Sequence, residues 1–165
     1  MENLSLHILD IVENSLRAGA KTVEIQINED LKRNFLEIEI RDDGRGMDAS
    51  TVEKVTDPFF TTKSVRKVGL GLSLFESAAR RTGGELSLFS KPGEGTTVKA
   101  TFQHSHIDRQ PLGDMVKTLT TLIISNPDVH FRYIHRENGD EYQVDSKQLM
   151  DGSWKEPAIK FRCLT

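Results

Sequence analysis

The first stretch that could do chemistry is Asp10-Ile11-Val12-Glu13-Asn14-Ser15-Leu16-Arg17. On a helix, Asp10, Glu13, Asn14 and Arg17 stand three and four residues apart and share one stripe. An amide oxygen such as that of Asn14 suits Mg²⁺, a hard ion that takes oxygen ligands and keeps several waters. A carboxylate one turn earlier, Asp10, could orient or deprotonate a nucleophile beside such an ion. Without a ligand, the same stripe is a solvated helix face with a Glu13–Arg17 ion pair. A second stretch is Asp42-Asp43-Gly44-Arg45-Gly46-Met47. Its glycines permit a sharp turn and the close approach of a flat ligand. A carboxylate there can accept from the exocyclic amine of a base, although Asp-Gly is also a common turn pair. A third is Gly69-Leu70-Gly71-Leu72. A helix opening there would present free N–H groups and a positive dipole end to an anion. Lys63, Arg66 and Lys67 lie just upstream and could close over a polyphosphate; a basic surface loop is the plainer reading. The pattern has neither the Walker ending nor the dinucleotide glycine spacing. Gly93-Glu94-Gly95-Thr96-Thr97-Val98 reads as a hairpin turn whose hydroxyls could also reach a base held at Asp42.

These residues need elements to position them. Leu4, Ile8, Ile11, Val12 and Ser15 mark one face of a helix over 4–18, which Gly19 stops. Val23, Ile25 and Ile27 alternate with polar residues, as do Leu36, Ile38 and Ile40, so two strands flank a polar turn at 29–34. The second strand delivers Asp42. Asp48 can cap a short helix. Residues 56–68 have no clear period and read as a loop. A helix is expected from Gly69 to Gly83-Gly84, with Leu70, Leu74, Phe75, Ala78 and Ala79 as its apolar stripe. Leu86 and Leu88, then Val98, Ala100 and Phe102, form a hairpin around the turn at 92–95. In the tail, Pro111 is expected to start a helix reaching 125, with Met115, Leu119, Leu122 and Ile123 on one face. Val129, Phe131, Tyr133 and His135 alternate as a strand, Asn138-Gly139 signals a hairpin, and Tyr142 and Val144 return. A short helix fits 146–150. Beyond it only a short strand from Ala158 is legible.

The chain has 165 residues, about one domain's worth. That length buries a core without a metal or disulfide staple. A net charge of −3 excludes a strongly basic nucleic-acid binder. One cysteine, Cys163, cannot form an internal disulfide, which fits a reducing compartment. No apolar run reaches the length of a membrane span, and Met1-Glu2-Asn3 is not the basic start of a signal peptide. The expected location is the cytoplasm, with neither nucleic acid nor membrane as partner. His104, His106 and Asp108 alternate and could share a metal, but such a site needs further convergent ligands, and a polar linker is the simpler reading. Trp154 and Cys163 read as packing residues.

Taken in order, these stretches resemble the boxes of the GHKL superfamily, which groups gyrase, a heat-shock chaperone, histidine kinases and mismatch-repair ATPases. Residues 11–20 are similar to the N-box in its mismatch-repair form, and residues 42–47 to the G1 box. Asp57-Pro58-Phe59-Phe60-Thr61-Thr62-Lys63 is similar to the F-box and lid of histidine kinases. Residues 69–74 resemble the G2 box and Gly95-Thr96-Thr97 the final box. Each box is weak alone; their joint order over 4–102 is specific.

The resemblance implies an α/β two-layer sandwich of the Bergerat type that binds ATP with Mg²⁺ in residues 1–102. Residues 103–165 would be a helix and β-hairpin extension of unknown role, either extending the sheet or forming an appended module. By position, Asn14 would be the Mg²⁺ ligand and Asp42 the adenine-amine acceptor. Gly44, Gly46 and Met47 would line the base pocket, and Thr96 would support the adenine. Lys63 and the backbone of Gly69, Leu70, Gly71 and Leu72 would hold the phosphates, with Phe60 of the F-box in the same nucleotide-binding set. Arg17 stands where the mismatch-repair form has Asp, and either adds charge near the phosphates or pairs with Glu13. ATP-hydrolysing members carry Glu one turn before the Asn; here Asp10 holds that place and is the candidate base. No His-Glu pair in helical context offers a phosphoacceptor. The expected function is a stand-alone ATP–Mg²⁺ protein: a regulatory kinase acting in trans on a protein partner, or else a non-catalytic nucleotide sensor or weak ATPase switch. A homodimer is a further expectation.

Overall fold

The computed structural model describes residues 3–56 and 66–152. Asn3 caps α1 (Leu4–Arg17) by accepting from the Leu6 N–H. The helix buries Leu4, Ile8, Ile11 and Val12, its apolar stripe. Gly19 then takes φ +78°, the left-handed conformation that ends many helices. In β1 (Thr22–Asp30) and β2 (Phe35–Asp42) every second residue is buried until the end of β2. The two strands use more of the connection than the pattern predicts, leaving a turn at 31–34 that Asn34 closes at φ +52°. α2 (Ala49–Thr56) follows Asp48, whose Oδ1 accepts from the Thr51 N–H. α3 (Arg66–Arg80) leads to the hairpin β3 (Leu86–Lys91) and β4 (Gly95–Gln103). The tail adds α4 (Met115–Ser125), β5 (His130–Glu137), β6 (Asp140–Asp145) and α5 (Ser146–Asp151).

The six strands form one sheet in the order β3-β4-β2-β1-β5-β6. β5 runs parallel to β1 and the other pairs are antiparallel. Apolar side chains of the inner sheet face share one core with α1, α3 and α4. The opposite face is mostly polar, with Arg132 2.9 Å from Glu24 and Lys99 3.4 Å from Glu37, although it also carries the buried Ile134 and the exposed Phe89. This is the two-layer α/β sandwich that the resemblance implies. None of the described helices is long and apolar enough to cross a membrane.

Of the two arrangements open for the tail, the structure shows the sheet-extending one. β5 lies against β1 over eight residue pairs, and Met115, Leu119, Phe131 and Tyr133 join the same core as Leu4 and Ile8. The expected boundary after residue 102 falls within β4.

Two helix starts differ from expectation. α4 begins at Met115 behind the N-cap Asp114, not at Pro111. The Pro111 and Leu112 carbonyls instead accept from the Leu4 and Ser5 N–H groups at 2.9 and 2.8 Å. The tail thereby satisfies donors that the start of α1 cannot pair within its own helix. α3 begins at Arg66, not at Gly69. The strand expected from Ala158, with Trp154 and Cys163, lies outside the described residues.

Candidate functional site

Asp42 ends β2 on the inner face, opposite Thr96 of β4 and Val23 of β1. Two donors hold its carboxylate: Ser15 Oγ–H to Oδ2 at 2.6 Å and the Gly44 N–H to Oδ1 at 2.8 Å. Asp43 turns away, its Oδ1 accepting from the Lys21 and Thr22 N–H groups. The chain then passes close under α1, where the Arg45 N–H donates to the Ala18 carbonyl at 2.9 Å. Gly46 has φ +70°, and a Cβ there would lie 1.9 Å from the Lys91 carbonyl oxygen. Only glycine fits that backbone and that approach. The turn is pinned to the β3–β4 hairpin by Gly93 N–H to the Arg45 carbonyl at 2.7 Å and Met47 N–H to Ser90 Oγ at 2.8 Å. Ser90 Oγ also lies 2.8 Å from Thr96 Oγ1.

These pieces enclose one pocket. Ile11, Ile40, Leu72, Leu88 and Val98 supply apolar walls, and Gly46 and Met47 one side. Asn14, Arg17, Asp42 and Thr96 supply polar atoms. Arg17 Nη1 donates to Asn14 Oδ1 at 2.9 Å, and its Nη2 lies 3.8 Å from Glu13 Oε2. The pocket lining and the surface ion pair therefore coexist on the same helix stripe. α3 crosses α1 at Gly71, where a Cβ would meet Asp10 Cβ at 3.6 Å and Asn14 Nδ2 at 3.9 Å. Burial pushes the Asp10 carboxyl above its ordinary value, with Arg17 pulling the other way.

Of the residues singled out in sequence, Asn14, Arg17, Asp42, Gly46, Met47, Leu72 and Thr96 line this pocket. Gly44 lies buried beside it, on Asp42. Asp10 and Gly71 pack against each other at the helix crossing rather than lining the pocket. Gly69 and Leu70 lie within the first turns of α3, not at its opening. With α3 starting at Arg66, the N–H groups of 70–72 donate inside the helix and are not free for an anion. Phe60 and Lys63, with the rest of 57–65, lie outside the described residues.

Sequence reasoning missed Ser15 as an anchor for Asp42. The available signal was a hydroxyl in an otherwise apolar helix stripe. It also missed Ser90, whose place opposite Thr96 depends on hairpin register. The His104, His106, Asp108 series does not converge. His104 Nε2 lies 3.0 Å from Glu29 Oε1, while His106 Nδ1 accepts from the Asp108 N–H. Among the described residues no three such side chains are placed to hold a metal ion.

A carboxylate at an apolar slot, with an amide oxygen and a guanidinium close by, has the chemistry to take a flat polar ring carrying a charged appendage. Comparison with known proteins assigns the class. The chain belongs to the histidine kinase-, DNA gyrase B-, and HSP90-like ATPase family, which matches residues 2–106. Sensor kinase CckA of Brucella abortus is 43% identical over 67 residues, which are 40% of this chain and 7% of that protein. The non-motile and phage-resistance protein of Caulobacter vibrioides is 30% identical over 118 residues, 66% of this chain and 14% of that protein. The chain thus spans a small part of the length of these curated relatives. Among solved structures, the ADP-complexed MutL ATPase domain of Aquifex aeolicus superposes with TM-score 0.56 at 19% identity, covering 88% of this chain and 63% of that one. That likeness is one of fold. It covers more of the chain than residues 2–106, so the shared architecture reaches into the tail. The protein therefore carries a histidine kinase-like ATPase domain, homologous to those of sensor kinases, and this class implies ATP as its ligand.

Proposed function

We propose that the Asp42 pocket binds ATP with Mg²⁺ and that the protein acts as a regulatory kinase on a protein partner. The observation that carries the nucleotide reading is the Asp42 clamp. Ser15 and Gly44 each take one acceptor position, and a carboxylate has about four. Asp42 can therefore still accept from the adenine amine, while Gly46, Met47 and the apolar walls admit the ring. Thr96 adds a hydroxyl on the strand beside Asp42. Asn14 would hold Mg²⁺ through Oδ1; a single half-buried amide oxygen fits an ion that keeps most of its waters. When bound, that ion neutralises phosphate charge. Arg17 already sits on the same oxygen and would share the phosphates. Lys63 and Phe60 join the set by resemblance.

The histidines bear on where a phosphoryl group could go. All five lie among the described residues, and the one on a helix, His7, is 2% exposed and stacked on Phe75. A nucleotide sensor without chemistry is the second reading, favoured by Asp10, which packs against Gly71 outside the pocket lining.

A melting curve with and without ATP–Mg²⁺ tests the pocket. Ligand at a hundred times its dissociation constant should add about 2.7 kcal/mol. No shift at millimolar ATP overturns the nucleotide reading. Labelled ATP with cell extract tests the kinase reading, which predicts label on another protein. Binding without transfer, and hydrolysis that rises in Asp10→Glu, would instead support the sensor or weak-ATPase reading.

A further inference from the structure

Asp42, Thr96 and Ser90 stand side by side at one register of β2, β4 and β3. Asp42 and Thr96 line the pocket, whereas Ser90 stands one strand further out, behind the lining. Three polar groups lie within reach of the Ser90 oxygen. The Met47 N–H donates to it at 2.8 Å, the Gly95 carbonyl oxygen is 3.0 Å away and Thr96 Oγ1 is 2.8 Å away. A serine hydroxyl has one proton and two lone pairs. Met47 takes one lone pair. The Gly95 carbonyl can only accept, so it takes the proton. The second lone pair is left for Thr96, whose own proton must then point at Ser90. This assignment alone satisfies all three contacts. If Ser90 donated to Thr96 instead, its lone pairs would face the Gly95 oxygen.

The consequence falls inside the pocket. With its one proton directed at Ser90, the Thr96 hydroxyl has only lone pairs to offer the slot. The Asp42 carboxylate beside it also only accepts. An amine on the bound ring complements that edge. A carbonyl in the same place meets lone pairs and finds no donor. A 6-oxo purine can still offer its N1–H to Asp42, but its O6 then lies against Thr96.

We propose that Ser90 is a positioning residue that selects the base: by holding the Thr96 proton it keeps this edge of the slot acceptor-only, and so favours a 6-amino over a 6-oxo purine nucleotide. The selection rests on the nucleotide reading of the Asp42 pocket and adds to it a residue behind the pocket wall.

Calorimetric titration of the full-length protein with ATP–Mg²⁺ and with inosine triphosphate–Mg²⁺ reads the ratio of the two affinities. Ser90→Ala frees the Thr96 proton to turn into the slot, and the preference for ATP should fall about tenfold. Ser90→Thr keeps a hydroxyl there and should retain the preference. Loss of the Met47 anchor weakens both nucleotides by the same factor, so the ratio, not either affinity, reads the selection. Thr96→Val, which leaves Ser90 in place, should also lower the preference, and adding Ser90→Ala to it should change the ratio no further. A ratio unchanged in Ser90→Ala overturns the proposal. So does a ratio that rises in Thr96→Val, because the hydroxyl would then be donating into the slot. Equal binding of the two nucleotides by the unaltered protein overturns the selection alone, and binding of neither overturns the nucleotide reading together with it.

Discussion

Asp42 and Glu29 are carboxylates on the same inner face of one antiparallel strand pair, at its two ends. Asp42 stands opposite Val23 and Glu29 opposite Leu36. Glu29 accepts from His135 Nε2 at 2.6 Å and from His104 Nε2 at 3.0 Å, and the Tyr133 hydroxyl lies 2.9 Å from His135 Nδ1. Glu29 is 8% exposed and His135 1%. Burial pushes the Glu29 carboxyl up, but the hydrogen bonds from His135 and His104 outweigh it and hold the group below its ordinary value. Asp42 has two short local donors and opens on a pocket. The same residue chemistry is thus enclosed at one end and opens on a pocket at the other, where the proposed nucleotide site lies. The difference among the described residues is what the tail delivers: two imidazoles onto Glu29, one of them backed by the Tyr133 hydroxyl, and no hydrogen-bond partner onto Asp42.

The largest test of this contrast is Glu29→Leu. It leaves two imidazole N–H groups without their acceptor and should cost about 3 kcal/mol in urea unfolding, with the stabilisation by ATP unchanged. Loss of that stabilisation as well would show that the two ends are not independent. Asp42→Asn should do the reverse. It should remove most of the ~2.7 kcal/mol that saturating ATP adds while changing the ligand-free melting temperature little.

A smaller effect concerns pH. The native Glu29 value lies below the ordinary 4.5, so its contribution is complete above that pH and is lost as pH falls through the lowered native value. Urea titrations of Glu29→Gln should therefore show a flatter acid limb than the unaltered protein. The smallest effect is that of Arg17→Ala. An exposed pair of this kind is worth under about 1 kcal/mol, so stability should barely move, while the Mg²⁺-dependent part of the ATP shift persists. An equal loss in Arg17→Ala and Asn14→Ala would make Arg17 part of the metal-binding unit.

Much of the open end was legible in sequence and little of the closed end. The 3, 4 spacing of α1 and the alternation in β1 and β2 are local signals, and they place Asn14 and Asp42 on their elements. The Glu29 cluster joins residues 75 and 106 positions apart, and no local pattern connects them. His104 and His135 looked like a linker residue and a strand residue. Pro111 misled for a related reason: its carbonyl caps α1, more than a hundred residues earlier, instead of opening α4. The start of α3 also escaped, because the glycines that suggest a helix opening at Gly69 serve in part to bring Gly71 against Asp10 and Asn14.

The sequence by itself determined the kinds of elements, their order and the chemistry of the boxes, because side-chain period, capping and glycine placement act within a few residues. Only the tertiary structure decided that β5 enters beside β1 in parallel, that Ser15 and Gly44 share Asp42 between them, and that Glu29 is enclosed by the tail. Those outcomes depend on strand register and on which faces remain to be covered, and local backbone preference does not specify either one.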